Sequence, residues 1–120
     1  MKALSVVFPA GDLMVAGTKR LEIRRWSPES LPLKDLLIVQ NRHRLDAERM
    51  PEDPDGIALA LVDVVAVRPW AASDLEASGA TQWEPGWLAW ELANVRGLSQ
   101  PVRVPARLRI YEVTLPTAAP

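Results

Sequence analysis

The sequence predicts an α+β fold, a small barrel or rolled sheet of about six strands with two or three short helices. Three observations predict it. Proline supplies 11 of the 120 residues, about twice the roughly 5% average, and this density argues for short strands with stiff connections rather than long helices. Short runs that alternate apolar and polar residues recur along the chain, which is the period of half-buried strands. A length of 120 residues suits one hydrophobic core, so the expectation is one domain over residues 1–115 with a disordered tail at 116–120.

The elements follow in order. Ala3 to Phe8 is β-branched and ends at Pro9, as a strand entering the core does. Pro9 opens a short helix, Asp12 in its first turn suits the positive end of the dipole, and Gly17 stops it in a left-handed conformation. In Thr18 to Trp26, Leu21 and Ile23 alternate with Glu22 and Arg24, giving a strand with one apolar and one charged face. Ser27 to Pro32 is a turn-rich connection, and Leu36 to Gln40 is a buried strand. Asn41 to Asp55 is polar, carries two prolines and reads as the longest irregular stretch, with a helical turn or two and the mobility of a surface loop.

Ile57 to Arg68 is the most hydrophobic run and long for one strand, so a bend or bulge is expected near Asp63, unless Asp63 is a buried acid facing the cleft. Ser73 and Glu76 have the spacing of a capping box, which predicts a short helix to about Ser78 before Gly79. Trp87 to Leu92 fits a strand or a helix, and its length favours the strand. Val102 to Val104 and Leu108 to Val113 alternate and read as the last two strands.

Composition narrows the chemistry. With 48% apolar and 24% charged residues and a formal charge of −1, the chain has a globular composition. No cysteine and a single histidine, His43, exclude a disulfide framework, a thiol nucleophile and most metal sites, so no metal or cofactor is expected. Without a long apolar run or a signal-peptide pattern, the expected location is the cytoplasm, with no membrane partner. The small net charge hides an asymmetry: residues 1–50 hold nine basic and six acidic side chains, residues 51–120 five and nine. One face can therefore hold a polyanion, although a general nucleic-acid coat is far more basic.

Gly17 to Arg24 places Lys19, Glu22 and Arg24 around one helix-to-strand junction. Such residues often form no more than a solvated edge of weak ion pairs. In the functional reading, Lys19 holds a developing oxyanion or, with a lowered pKa, acts as a base or nucleophile; Glu22 takes a proton and Arg24 grips an anionic or carbonyl edge. Trp26, Trp70, Trp83 and Trp87 stand near strand ends, where a ring either stacks on a base or plugs the core, and Trp26 is the best placed for a ligand. Asn41-Arg42-His43-Arg44 is either a phosphate contact or a solvated basic turn.

The opening Lys2 to Val6 strand, Pro9, and the G-x-K-x-x-E-x-R pattern at Gly17, Lys19, Glu22 and Arg24 followed by Trp26 resemble the ASCH domain family, whose fold is similar to the PUA β-barrel. Gly56 to Pro69, Trp90 to Leu92, and the pair Val102 to Val104 and Tyr111 to Val113 follow in the family's order, so the resemblance covers roughly residues 2–113. It implies a PUA-like barrel that binds RNA near this junction. It also brings in small amidohydrolases that convert N4-acetylcytidine to cytidine, and ribonucleases. In those amidohydrolases a lysine matching Lys19 works with a hydroxyl residue and a later glutamate. Here Glu22 stands where the hydroxyl belongs, Thr18 is the adjacent hydroxyl, and the later acid is Glu76 or Glu84.

The resemblance thus implies a hydrolase of an N4-acylated cytidine with Lys19, Glu22 and Glu84 as catalytic groups and Ser5, Thr18, Arg24 and Trp26 around the substrate. The partner is a nucleoside or RNA. A non-catalytic RNA-binding module is the alternative, and a ribonuclease the third reading.

Overall fold

The computed structural model describes residues 1–115, and the tail expected at 116–120 lies outside them. Eight strands form: β1 (Lys2–Val7), β2 (Leu21–Arg24), β3 (Leu33–Asn41), β4 (Glu52–Asp53), β5 (Ile57–Pro69), β6 (Leu88–Arg103), β7 (Ala106–Arg107) and β8 (Ile110–Glu112). Two short helices, α1 (Ala10–Ala16) and α2 (Leu75–Ser78), complete the α+β fold. Six strands make one sheet in the order β2-β6-β5-β3-β1-β8, and β4 pairs with β7 apart from it. Among the described residues only the β1–β3 pair is parallel.

Period-two alternation explains the core. In β3, Leu36 and Ile38 join Leu4, Val6, Met14, Val62, Val64 and Trp90 in one cluster. Leu37 and Val39 point the other way, into a second cluster with Ala3, Ala58, Val104 and Ala106. A strand apolar on both faces has to be central, and β3 lies between β5 and β1. Trp90 is fully buried and anchors the first cluster to the loop after β2, its indole N–H donating to Trp26 O at 3.0 Å.

Gly17 and Gly79 end the two helices with φ of 83° and 72°, as their positions in the sequence predict. Asp63 is both a bulge marker and a buried acid, and it does not line the cleft beside β2. The β5–β6 register shifts between Leu61 and Asp63, and the Asp63 carboxylate accepts from Asp35 N at 3.0 Å and Asn94 Nδ2 at 2.9 Å. Both of these donors lie on residues with positive φ, 56° and 51°, so one carboxylate, which Arg96 also meets at 3.5 Å, ties down two unfavourable turns.

Four expectations are corrected. The sheet is not a closed barrel: β2 and β8 are both edges, because four-residue β2 reaches β1 through the Arg24 side chain, at 2.8 Å from Ser5 O, rather than through a ladder. The stretches 88–92 and 102–103 are one strand, since a register shift between Ala58 and Ala60 lets β6 carry Pro101 without a paired N–H. The turn before α2 is capped by Asp74, which accepts from Ala71 N at 3.0 Å, and not by Ser73. The 41–55 segment holds no helical turn; Asp46 Oδ1 bonds the backbone N–H of Glu48 and Arg49, closing a tight loop whose ends bridge at Asp46 and Met50.

Candidate functional site

The G-x-K-x-x-E-x-R junction folds into a chain of charges. The left-handed turn at Gly17 redirects the backbone from α1 into β2, and Thr18 closes the helix end, its hydroxyl donating to Leu13 O at 3.2 Å. Lys19 is buried, and its Nζ meets Leu21 O at 2.7 Å, Ser78 O at 2.6 Å and Glu22 Oε1 at 3.2 Å. Those three acceptors match the three N–H donors of an ammonium group. Glu22, equally buried, receives Arg24 on Oε2 through Nε at 3.2 Å and Nη2 at 2.9 Å. Burial pushes the Glu22 carboxyl up, but the charges of Arg24 and then Lys19, with their hydrogen bonds, outweigh it and hold the group below its ordinary value.

This chain forms one wall of a cleft of about 470 Å3 that opens where β2 and β1 fail to pair. Ser5, Val6 and Val7 of β1 face Glu22 to Trp26 across it, and Arg107 to Arg109 close one end. Five arginines line it, Arg24, Arg25, Arg44, Arg107 and Arg109, with Glu22 as the one carboxylate. Arg24 is committed to Glu22, and Arg107 contacts Glu52 at 3.3 Å; among the described residues no acid pairs with Arg25, Arg44 or Arg109. Arg25 lies 4.4 Å from the centre of the Trp87 ring and Arg109 4.3 Å from that of Trp26, so each indole on the cleft wall carries a guanidinium. The cleft is therefore strongly cationic and bordered by flat rings, which is a surface for a phosphate and a base.

Of the residues singled out from the sequence, Glu22, Arg24, Trp26, Trp87 and Ser5 meet in this cleft. The Ser5 hydroxyl lies 2.8 Å from Tyr111 OH and accepts from Arg107 N at 3.0 Å, which fixes the β7–β8 turn against β1. Lys19 stands behind Glu22 rather than on the cleft wall, and Thr18 is turned to the helix end. Glu84 lines a separate recess of about 210 Å3 with Gln82 and Trp70, and the atom that α2 offers Lys19 is the Ser78 carbonyl rather than a carboxylate. Trp70 is core and Trp83 donates to Trp70 O at 3.0 Å. Arg44 reaches the cleft while Arg42 stacks 4.6 Å over Phe8.

Sequence reasoning missed Arg25, Arg107 and Arg109, while Asn41, which begins the phosphate-contact stretch, does reach the cleft. The alternation Arg107-Leu108-Arg109 was the available signal, but it lies in the acidic half of the chain. Among the described residues, no group of three His, Cys, Asp or Glu side chains comes together, and no helix is long and apolar enough to cross a membrane.

The comparisons agree with this architecture. Two crystal structures of ZmASCH mutant proteins from Zymomonas mobilis share the fold. The tyrosine-to-phenylalanine mutant superposes with TM-score 0.55 at 17% identity, covering 86% of this chain and 75% of that one. The serine-to-alanine mutant gives 0.51 at 18%, covering 90% and 87%. No curated protein matches. The ASCH domain family model matches residues 4–102, most of the chain and the whole of the charged junction, and the chain belongs to the ASCH domain family.

Proposed function

We propose that this protein binds single-stranded RNA in the arginine-lined cleft, phosphates meeting the free guanidinium groups and a base stacking against an arginine–indole pair. The observation that supports this reading most is the charge count: five arginines surround the cleft, and its single carboxylate is already paired within the protein. Arginine forks suit phosphate oxygens, and aromatic stacking contributes about 1–3 kcal/mol per base regardless of sequence. The test is fluorescence anisotropy of a labelled single-stranded RNA with wild type and with Arg44→Ala and Trp26→Ala. Both variants should weaken binding about tenfold or more. Absence of binding by the wild type at low salt would sink the proposal.

A second reading, hydrolysis of an N4-acylcytidine, is favoured by one observation: an ionised Glu22 on the wall of a cleft with room for a nucleoside. Water, losing a proton to Glu22, adds to the acyl carbon; the C–N4 bond breaks and N4 takes the proton, giving cytidine and a carboxylic acid. The oxyanion falls to Arg24, whose Nη1 bonds nothing among the described residues, because the Lys19 donors are in use. A carboxylate held below its ordinary value is a weak base, so binding remains the leading reading. Incubation with N4-acetylcytidine and with short RNA, followed by mass spectrometry, separates the readings. Cytidine formed by wild type supports the hydrolase, new RNA fragments support a ribonuclease, and unchanged substrates leave binding alone.

A further inference from the structure

Trp26 and Arg109 wall the cleft, and they also wall a second recess of about 250 Å3 on their far side. The stacked pair is thus a ridge common to two hollows. Their chemistry differs. The larger is rich in arginine, whereas the smaller balances Lys2 and Arg109 against Glu29 and Glu112 around apolar Leu33 and Ile110. An arginine-rich hollow suits phosphate, and a charge-balanced hollow with apolar walls suits a base. At about 250 Å3 the smaller recess falls below the roughly 300–1,000 Å3 that encloses a separate small ligand, so it works as an annexe of the larger.

Arg109 is placed for the link between them. Its φ of 58° is a left-handed conformation unusual outside glycine, and it sets the residue at the turn between β7 and β8. Among the described residues no carboxylate pairs with it, although Arg107, two positions earlier, pairs with Glu52. Stacking on Trp26 leaves the edge of the guanidinium open to an anion while restricting its motion, which lowers the ordering cost of binding.

We infer that the two recesses form one site for two successive nucleotides of single-stranded RNA, with Arg109 holding the phosphate that joins them across the Trp26 ridge. The inference rests on the RNA-binding reading and adds a site size and a position for the linking phosphate. The larger hollow takes one nucleotide and the smaller takes the neighbouring base.

The experiment is competition against a fluorescein-labelled pentauridylate by UMP, UpU and UpUpU. UpU should compete at least tenfold better than UMP, and the third nucleotide, which brings a phosphate but no further recess for its base, should add less than UpU gains over UMP. UpU carries less negative charge than UMP, so added charge cannot produce that gain. Arg109→Gly, chosen because glycine accepts the positive φ, should bring UpU to within threefold of UMP by weakening UpU more than it weakens UMP. Ser30→Trp, which fills only the smaller recess, should do the same. UpU competing no better than UMP, or Arg109→Gly weakening both alike, overturns the two-nucleotide site. If the labelled pentauridylate itself does not bind the wild type, the RNA-binding reading is what fails.

Discussion

Lys19 directs its ammonium group entirely at protein atoms, and that changes what its removal should do. Lys19 joins α2 to β2 and fixes Glu22, while Glu22 fixes Arg24 against β1. Replacing Glu22 by Gln leaves a buried ammonium and a half-buried guanidinium without their counter-charge, a loss of about 3–5 kcal/mol that urea unfolding would register. Acid should act on the same link. The folded-state pKa of Glu22 lies below its ordinary value, so its stabilisation is fully present above that ordinary value and disappears as pH falls through the folded one. Unfolding free energy should therefore be flat from pH 7 to about 5 and fall below, with a shallower fall in Glu22→Gln. The charged junction was legible because its residues are neighbours in sequence. Arg107 and Arg109 were not, because a contact such as Arg107 N to Ser5 Oγ, spanning 102 positions, exists only through topology.

At the scale of elements, local signals carried well where one residue type is physically required. Gly17 and Gly79 were readable as helix ends, since left-handed conformations exclude most side chains. Strand β6 was less readable, because Gly97 and Pro101 look like interruptions and only the facing strand β5, through its register shifts, absorbs them. The two-residue strands β4 and β7 are too short to leave any periodic pattern. Their position depends instead on Gly56, where an added Cβ would sit 2.3 Å from Val104 O and 2.9 Å from Ala106 N. Both obstacles are backbone, so Gly56→Ala should cost about 1–3 kcal/mol, visible as a lower midpoint in thermal melts. Gly86→Ala provides a contrast, because nothing lies near its Cβ and only the φ of 91° opposes the change.

For the whole molecule, the α+β class was legible from the density of prolines and alternating runs, but closure was not. Whether two edges join depends on strand length and tilt, neither of which hydrophobic pattern reports. The unjoined edge is what opens the cleft, and its charge predicts a salt dependence. Three arginines without acid partners imply about three phosphate contacts, hence a slope near −2 in log affinity against log salt and roughly a twentyfold weakening between 50 and 200 mM. Anisotropy titrations at four salt concentrations would measure it, and a slope near zero would exclude phosphate as the main contact.

The pairing of β1 with β8 also has a kinetic consequence. Strands β5 and β6 are sequence neighbours and close a modest loop, whereas Ala3 and Tyr111 pair across nearly the entire chain. Loop closure of that span comes late and slowly relative to local pairing. Backbone amides of β5 and β6 should thus gain protection in refolding before those of β1, as pulsed hydrogen exchange would record. Ligand-binding competence, which needs Arg107 and Arg109 seated beside Ser5, should return only with that final docking.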